Sequence, residues 1–268
     1  MIKIVVAGCC GKMGRRIVSL AKEDKGLLVT GACEVAGHPL LGKDIGEVLG
    51  LGTSDIKITE NVDEALRGGD CMIDFTAPVA TMGHVEKMLK AKKAMVIGTT
   101  GLTDKEEKKI KEAAAQIPIV MAPNMSIGVN LLFGLVGEVA KELGDSYQIE
   151  IIELHHKHKK DAPSGTAKKL AQVIAQAKGL DLDKIVVYGR QGQGLARADK
   201  EIGIHAIRAG DIVGEHTVVY CGTGERIEIT HKAHSRDTFA QGALQAAKFL
   251  AGRKPGLYNM QDVLKARN

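Results

Sequence analysis

MIKIVVAGCCGKMGRRIVSLAKEDKGLLVTGACE, residues 1–34, decides the fold. Ile2 to Ala7 is a short apolar run rich in β-branched side chains and ended by Gly8, the pattern of a strand buried on both faces of a parallel sheet. Gly11 and Gly14 follow, and Met13, Ile17, Val18, Leu20 and Ala21 then recur at helical spacing. Leu27 to Glu34 reads as the next strand. Strand, glycine turn, helix and second strand make the opening unit of a doubly wound α/β layer.

The alternation continues outward. Cys71–Phe75, Ala94–Gly98 and Pro118–Met121 read as strands, with helices at Val79–Lys92 and Asp104–Ala115 between them. Strands separated by helices imply parallel pairing with right-handed crossovers. After Asn124 the pattern changes. Gly128–Leu143 is a long apolar helix, Tyr147–Leu154 alternates like a half-buried strand, and Ser164–Lys178 is a helix. Residues 203–232 carry period-2 runs with turns at Gly210–Asp211 and Gly222–Gly224, which predicts an antiparallel meander. The expected architecture is a Rossmann-like parallel layer (1–126) followed by an α+β domain with a mostly antiparallel sheet (127–237). A last segment (238–268) is expected to pack back on the first domain.

Composition narrows the class. The chain has 268 residues, with 37 basic and 32 acidic side chains and a formal charge of +5. A hydrophobic content of 44% with 26% charged residues excludes a disordered or collagen-like chain. No apolar run is long enough for a membrane span. The N-terminus lacks the pattern of a secretory signal. Cys9, Cys10, Cys33, Cys71 and Cys221 are odd in number and without CxxC spacing, so neither a disulfide framework nor a zinc site is expected. A reducing, cytoplasmic setting is expected. Only 3% of residues are aromatic and there is no Trp, which argues against a nucleic-acid stacking platform.

GCCGKMG at 8–14 (Gly8, Cys9, Cys10, Gly11, Lys12, Met13, Gly14) sits between the first strand and helix. A phosphate needs close backbone N–H groups, and a Cβ would block them; the helix N-terminus adds positive dipole. The spacing is GxxGxxG, one residue longer than the common fingerprint, and a glycine pattern alone is weak evidence, since a tight turn needs no ligand. Glu34, twenty residues beyond Gly14 at the end of the second strand, adds to it: an acid there accepts both ribose hydroxyls. A 2′-phosphate would meet like charge at Glu34. Val35 offers no offsetting cation, though Lys12 is near in sequence, so NADH is expected to bind at least as well as NADPH. GTTG at 98–101 and APNMS at 122–126 end two further strands, where α/β sheets bind ligands, though each alone is ordinary turn chemistry.

ELHHKHKKDAPSGTA at 153–167 crowds His155, His156, Lys157, His158, Lys159 and Lys160 behind a strand. Such a cluster is costly unless an anion offsets it. Ser164, Gly165 and Thr166 then open a helix, where free N–H groups and hydroxyls suit a carboxylate or phosphate. Three readings compete: a solvated basic loop, a nucleic-acid patch, and an active site for a small polyanion with a proton donor. The helix start favours the third, and the scarcity of aromatics weighs against nucleic acid. No matched ligand spacing supports a metal.

With VAGCCGKMG, IDFTAP (73–78), GTTG, APNMSIGVN, the histidine loop, RAGDIVGEHTV (208–218), THKAHSRDTFAQGA (230–243) and GLYNMQDVL (256–264) in view, the chain resembles the dihydrodipicolinate reductases over essentially its whole length. The histidine loop is the specific part. The resemblance implies NADH- or NADPH-dependent reduction of 4-hydroxy-tetrahydrodipicolinate, a cyclic dicarboxylate, in lysine and diaminopimelate biosynthesis. It implies His155 as general acid, with Lys159 assisting protonation and holding substrate. His156, Ser164, Gly165, Thr166 and, less directly, Arg236 match substrate-binding positions. The cofactor contacts map onto residues 8–14, Glu34, Gly98, Thr99, Thr100, Ala122, Pro123, Asn124 and Met125. Some family members carry an arginine after the Glu34 position that helps accept NADPH; Val35 departs from that. A homotetramer assembled through the second sheet is implied, with no nucleic acid, membrane or metal partner. The chemistry agrees: hydride adds to an electrophilic ring carbon and a histidine near its ordinary pKa of about 6.5 can give the proton. Neighbouring lysines would lower that value and bound carboxylates raise it. The rivals are another two-domain reductase of amino-acid metabolism, which would not need the histidine loop, and a non-catalytic nucleotide-sensing or nucleic-acid-binding protein.

Overall fold

The computed structural model describes residues 1–194 and 196–266. The backbone divides into two compact units: Met1–Ile127 with the C-terminal segment from Arg236, and Gly128–Ser235.

The first unit holds β1 (Ile2–Ala7), α1 (Lys12–Glu23), β2 (Leu27–Cys33), a single helical turn α2 (Ile45–Val48), β3 (Ile58–Thr59), a second single turn α3 (Val62–Ala65), β4 (Cys71–Asp74), α4 (Pro78–Ala91), β5 (Ala94–Ile97), α5 (Asp104–Ala114) and β6 (Pro118–Met121). Its seven strands pair in the order β12-β6-β5-β4-β1-β2-β3, all parallel, with β12 (Gly256–Tyr258) supplied by the C-terminal segment. Alternation along β1 explains why it is apolar throughout. Ile4 and Val6 join one core with Ile17, Val18, Ala243 and Leu244, while Val5 and Ala7 join another with Val85, Met88 and Ile110. One helical layer thus comprises α1, α9 (Asp237–Leu250) and α10 (Met260–Lys265), and the other α4 and α5. α9 lies close: a Cβ on Gly242 would fall 1.7 Å from the Met125 carbonyl oxygen.

The second unit runs from most of α6 (Ile127–Leu143) through β7 (Gln148–His155), α7 (Gly165–Ala177), the short turn α8 (Leu182–Ile185), β8 (Val186–Tyr188), β9 (Ile202–Arg208), β10 (Gly214–Cys221) and β11 (Arg226–Ala233). Its five strands pair in the order β11-β10-β7-β9-β8. β10 pairs antiparallel with β11 and with β7. β9, however, pairs parallel with β7 and with β8, so the consecutive meander expected over 203–232 does not form. The reason is topological. α7 is a crossover helix, and a strand reached through a crossover returns parallel. Residues 209–213 then carry the chain past the end of β7 to its other edge, bonded to it on the way: His156 N–H donates to the Ile212 carbonyl (2.7 Å) and Ala209 N–H to the His155 carbonyl (2.9 Å).

Ile149, Ile151, Val218 and Tyr220 face α6 and α7, and the Tyr220 hydroxyl donates to the Val136 carbonyl at 2.7 Å. The opposite face of this sheet, with Ile152 opposite Thr217, Leu154 opposite Glu215 and Val219 opposite Glu150, is half-exposed. Among the described residues no helix is long and apolar enough to cross a membrane.

Candidate active site

In the first unit the candidate site is the end of β1. Gly11 N–H donates to the Gly8 carbonyl at 3.0 Å, closing a four-residue turn that accounts for the extra residue in the glycine spacing. Gly8 has φ +64°, and a Cβ on Gly14 would stand 2.1 Å from the Gly8 carbonyl oxygen. Both are therefore required by the turn itself. α1 starts at Lys12 with no side-chain cap and no acid in its first turn, so the N–H groups of Lys12, Met13 and Gly14 are left for an anion. Glu34 lies alongside: Oε2 accepts Cys10 N–H (2.9 Å) and Oε1 accepts Val35 N–H (3.0 Å). Each oxygen keeps a lone pair for a ribose hydroxyl, so the donor set suits a dinucleotide. A cavity of about 760 Å³ is lined by Arg15, Lys43 and Lys57 with Asp44, Glu47 and Leu40. Lys12, the cation singled out from the sequence, is not among its lining residues; these three are.

The other expected cofactor positions divide by burial. Thr100 is exposed, whereas Ala122 and Met125 are buried and Thr99 is nearly so. The Thr99 hydroxyl is bonded to Thr81 (2.8 Å) and Thr76 N–H (3.1 Å), so its side chain serves the fold. Gly98 abuts Phe75, whose ring a Cβ would overlap at 2.3 Å. Asn124 accepts Ser126 N–H at 2.9 Å. Beside them stands a group that the motifs alone did not reveal. Asp74 is fully buried at the carboxyl end of β4, with His84 Nδ1 at 2.8 Å and Thr76 donating its N–H (2.8 Å) and hydroxyl (2.6 Å). Burial works against its charge, but the His84 and Thr76 bonds outweigh it and hold the carboxyl below its usual range.

In the second unit the site is the end of β7. Period-2 alternation sends Ile149, Ile151, Glu153 and His155 to the covered face, so the last two positions of a core stripe are ionisable. Glu153 is fully buried and paired on every side. Arg208, from the end of β9, donates two bonds of 2.8 Å; Ser164 N–H donates one of 2.9 Å; and His155 Nδ1 lies 2.5 Å from Oε2. Burial alone would raise this carboxyl, and these donors bring it below the ordinary range, so it is ionised. An ionised acceptor fixes the His155 tautomer with Nδ1 as donor and Nε2 as the second, working nitrogen. Nε2 lies beside Gly214, where a Cβ would come within 3.0 Å of it. Desolvation lowers the His155 pKa, assisted by Lys159 and Arg208 and only partly offset by Glu153.

The rest of the loop is brought to the same strand end. Lys159 Nζ pairs with Asp161 at 2.8 Å, and the Arg208 guanidinium also donates to the Asp161 carbonyl at 2.6 Å. The Ser164 hydroxyl caps α7 by accepting Ala167 N–H (3.2 Å) and lies 3.0 Å from Nε2 of His216, a buried residue on β10. Ser164 therefore spends its N–H and hydroxyl inside the protein, while at the helix start Gly165 is exposed and Thr166 half-exposed. Burial, and then the His155 charge, push His216 down to about 3, so it is neutral. Nδ1 of His156, His216 and His231 is buried without a protein partner. Arg236 is exposed and caps α9 in the first unit, so it belongs to a different unit from the histidine loop.

Glu153, Arg208 and His216 were missed in the sequence. The signal for Glu153 was there, two residues before His155 on an alternating strand. Arg208 and His216 lay within the quoted RAGDIVGEHTV stretch but were not singled out, because a consecutive meander would have put β9 and β10 side by side instead of on either edge of β7.

Comparison with known proteins accords with this geometry. Residues 2–125 match the family model "Dihydrodipicolinate reductase, N-terminus" and residues 128–264 match "Dihydrodipicolinate reductase, C-terminus". A 4-hydroxy-tetrahydrodipicolinate reductase of Syntrophus aciditrophicus is 52% identical, over 100% of each chain. One of Syntrophotalea carbinolica is 50% identical over 98% of this chain and 99% of the relative. Among solved structures, a dipicolinate-bound dihydrodipicolinate reductase from Paenisporosarcina sp. TG-14 superposes with a TM-score of 0.76 at 24% identity, covering 98% of both chains, a likeness of fold. Matched by both halves of the model and by full-length relatives, the chain belongs to the dihydrodipicolinate reductase family.

Proposed function

We propose that the chain reduces 4-hydroxy-tetrahydrodipicolinate to tetrahydrodipicolinate with a nicotinamide dinucleotide, a step of lysine and diaminopimelate biosynthesis. The observation that carries the reading is the end of β7: a histidine held by a buried, Arg-paired glutamate, beside Lys159 and an open helix start, in a family member. The reduced nicotinamide, when bound, supplies the hydride. Residues 8–14, Glu34, Gly98–Thr100 and 122–125 of the first unit hold the dinucleotide. Gly165 and Thr166 at the start of α7, with His156 and Lys159, bind the substrate carboxylates. His155 delivers the proton from Nε2. Its lowered pKa leaves it neutral in the free protein near pH 7, and a bound dianion restores the proton by raising that value. Glu153 holds the ring in the donating tautomer and stabilises the imidazolium, while Arg208 keeps Glu153 ionised.

NADH serves at least as well as NADPH, since Glu34 repels a 2′-phosphate and Val35 cannot attract one. The half-exposed apolar face of the second sheet assembles four copies. Light scattering is expected to give a tetramer mass for the wild type and a lower mass for Ile152→Lys; a monomer mass for the wild type would overturn the assembly.

The test of function is turnover with freshly made substrate, prepared with the synthase that condenses pyruvate and aspartate semialdehyde. Loss of reduced-cofactor absorbance that requires both substrate and enzyme is the expected result. No oxidation of either NADH or NADPH by folded protein would overturn the assignment.

A further inference from the structure

We infer that Cys9, Cys10 and Glu34 form a site for a soft divalent cation of the zinc and cadmium class, and that filling it shuts the dinucleotide out. The Cys9 and Cys10 sulfurs lie 3.8 Å apart, and with a Glu34 oxygen the three donors fall within 4.8 Å of one another. Among the described residues this is the one group of three such donors. The two thiols touch without being bonded, at a spacing that a chelated ion can keep. A disulfide would need about 2.05 Å. A tetrahedral zinc ion with Zn–S bonds of about 2.3 Å sets its two sulfurs about 3.8 Å apart, the edge of the tetrahedron. The pair is therefore already at the chelating distance, as free thiols.

The carboxylate is fixed independently of the thiols. Glu34 reaches the turn from the end of β2, and the N–H groups of Cys10 and Val35 orient one oxygen each. Two sulfurs and one oxygen select a thiophilic cation over magnesium or calcium, which prefer all-oxygen cages. Two thiolates and a carboxylate leave a cation of charge +2 with one surplus negative charge. Arg15, held by its Nε on the Cys10 carbonyl at 2.7 Å, is placed to offset it. Binding displaces one proton from each thiol: two S–H bonds break, two metal–sulfur bonds form, and two protons leave.

The exclusion of dinucleotide rests on the placement proposed above: Glu34 would hold the ribose, and the turn would hold the phosphates. A cation at Glu34 takes the same oxygen.

The experiment titrates the full-length, metal-free protein with Cd²⁺ alone and follows the near-ultraviolet charge-transfer absorption of cadmium thiolates. One Cd²⁺ per chain is expected, with the intensity of two thiolates. Cys10→Ser, at a half-buried position, weakens it about a hundredfold; Glu34→Gln weakens it less; Cys221→Ser, on β10, leaves it unchanged. Added NADH bleaches the band in the wild type. No thiolate band in the wild type, or a band of full strength in Cys10→Ser, overturns the site. A band that NADH leaves intact, when NADH is shown separately to bind the metal-free protein, overturns the exclusion. NADH binding measured without metal tests the cofactor placement by itself, so a failure there strikes the proposed function while the thiolate band still decides the site.

Discussion

Glu153→Gln separates a proton-tuning carboxylate from a merely structural one. Oε2 lies 2.5 Å from His155 Nδ1, which puts the two charge centres about 4 Å apart. Opposite unit charges at that distance attract by about 4 kcal/mol at an effective dielectric constant of about 20. Arg208, bonded twice to the same carboxylate, offsets part of that at the imidazole. What remains is about 1.5–3 kcal/mol, or one to two pKa units. The glutamine removes the attraction and leaves the Arg208 charge, so His155 falls further below its already lowered value. The basic limb of kcat/KM reports the free enzyme's acid, and it moves to lower pH by one to two units. Above the limb the loss is about 10- to 100-fold, and well below it small. Glu153→Asp, which keeps the charge, restores part of the shift. Breaking a buried ion pair costs about 3–5 kcal/mol, so thermal melts establish that each variant is folded at the assay temperature. An equal loss of kcat/KM at every pH, with the limb unmoved, would refute the reasoning.

Three further outcomes are expected. His216 has its pKa lowered to about 3 and is neutral when folded, so the unfolded chain binds the proton more tightly and stability rises with pH. Its contribution is whole above about 6.5 and is lost as pH falls toward 3; between pH 6.5 and 5 the wild type should lose about 2 kcal/mol more than His216→Asn, read from denaturant melts. Ser164→Ala removes the α7 cap and the His216 partner, and destabilises by about 2–3 kcal/mol, with Tm lower by several degrees; an unchanged Tm would contradict the bonds described. The ratio of kcat/KM for NADH to that for NADPH should be one or greater, and Val35→Arg should lower it about tenfold by placing a cation next to Glu34; a strong NADPH preference in the wild type would go against the role given to that carboxylate.

The parallel layer was legible because each of its signals was local. β1 and β6 span the apolar runs Ile2–Ala7 and Pro118–Met121 themselves, and α5 begins at Asp104 behind a Thr103–Glu106 capping box. β3 and β12 have two and three residues, too few for any periodicity to appear, so the sheet is wider than the sequence suggested. The order of the second sheet was not legible. Alternation identifies a strand without its neighbours, and runs consecutive in sequence looked like neighbours in space. The candidate site followed the same division. The glycine turn and the histidine loop are each contiguous and were read as units. The Glu153–Arg208–Ser164–His216 cluster joins β7, β9, the start of α7 and β10, and only their packing assembles it. Asp74 stood within the IDFT run as one more residue at a strand end; its weight comes from His84, ten positions on along α4.

The most direct test is steady-state turnover of His155→Gln with freshly made substrate and NADH. Loss of kcat by at least about a hundredfold, with KM within a few-fold of wild type, is the outcome for a group that gives its proton only in the transition state. A kcat within a few-fold of wild type would contradict it.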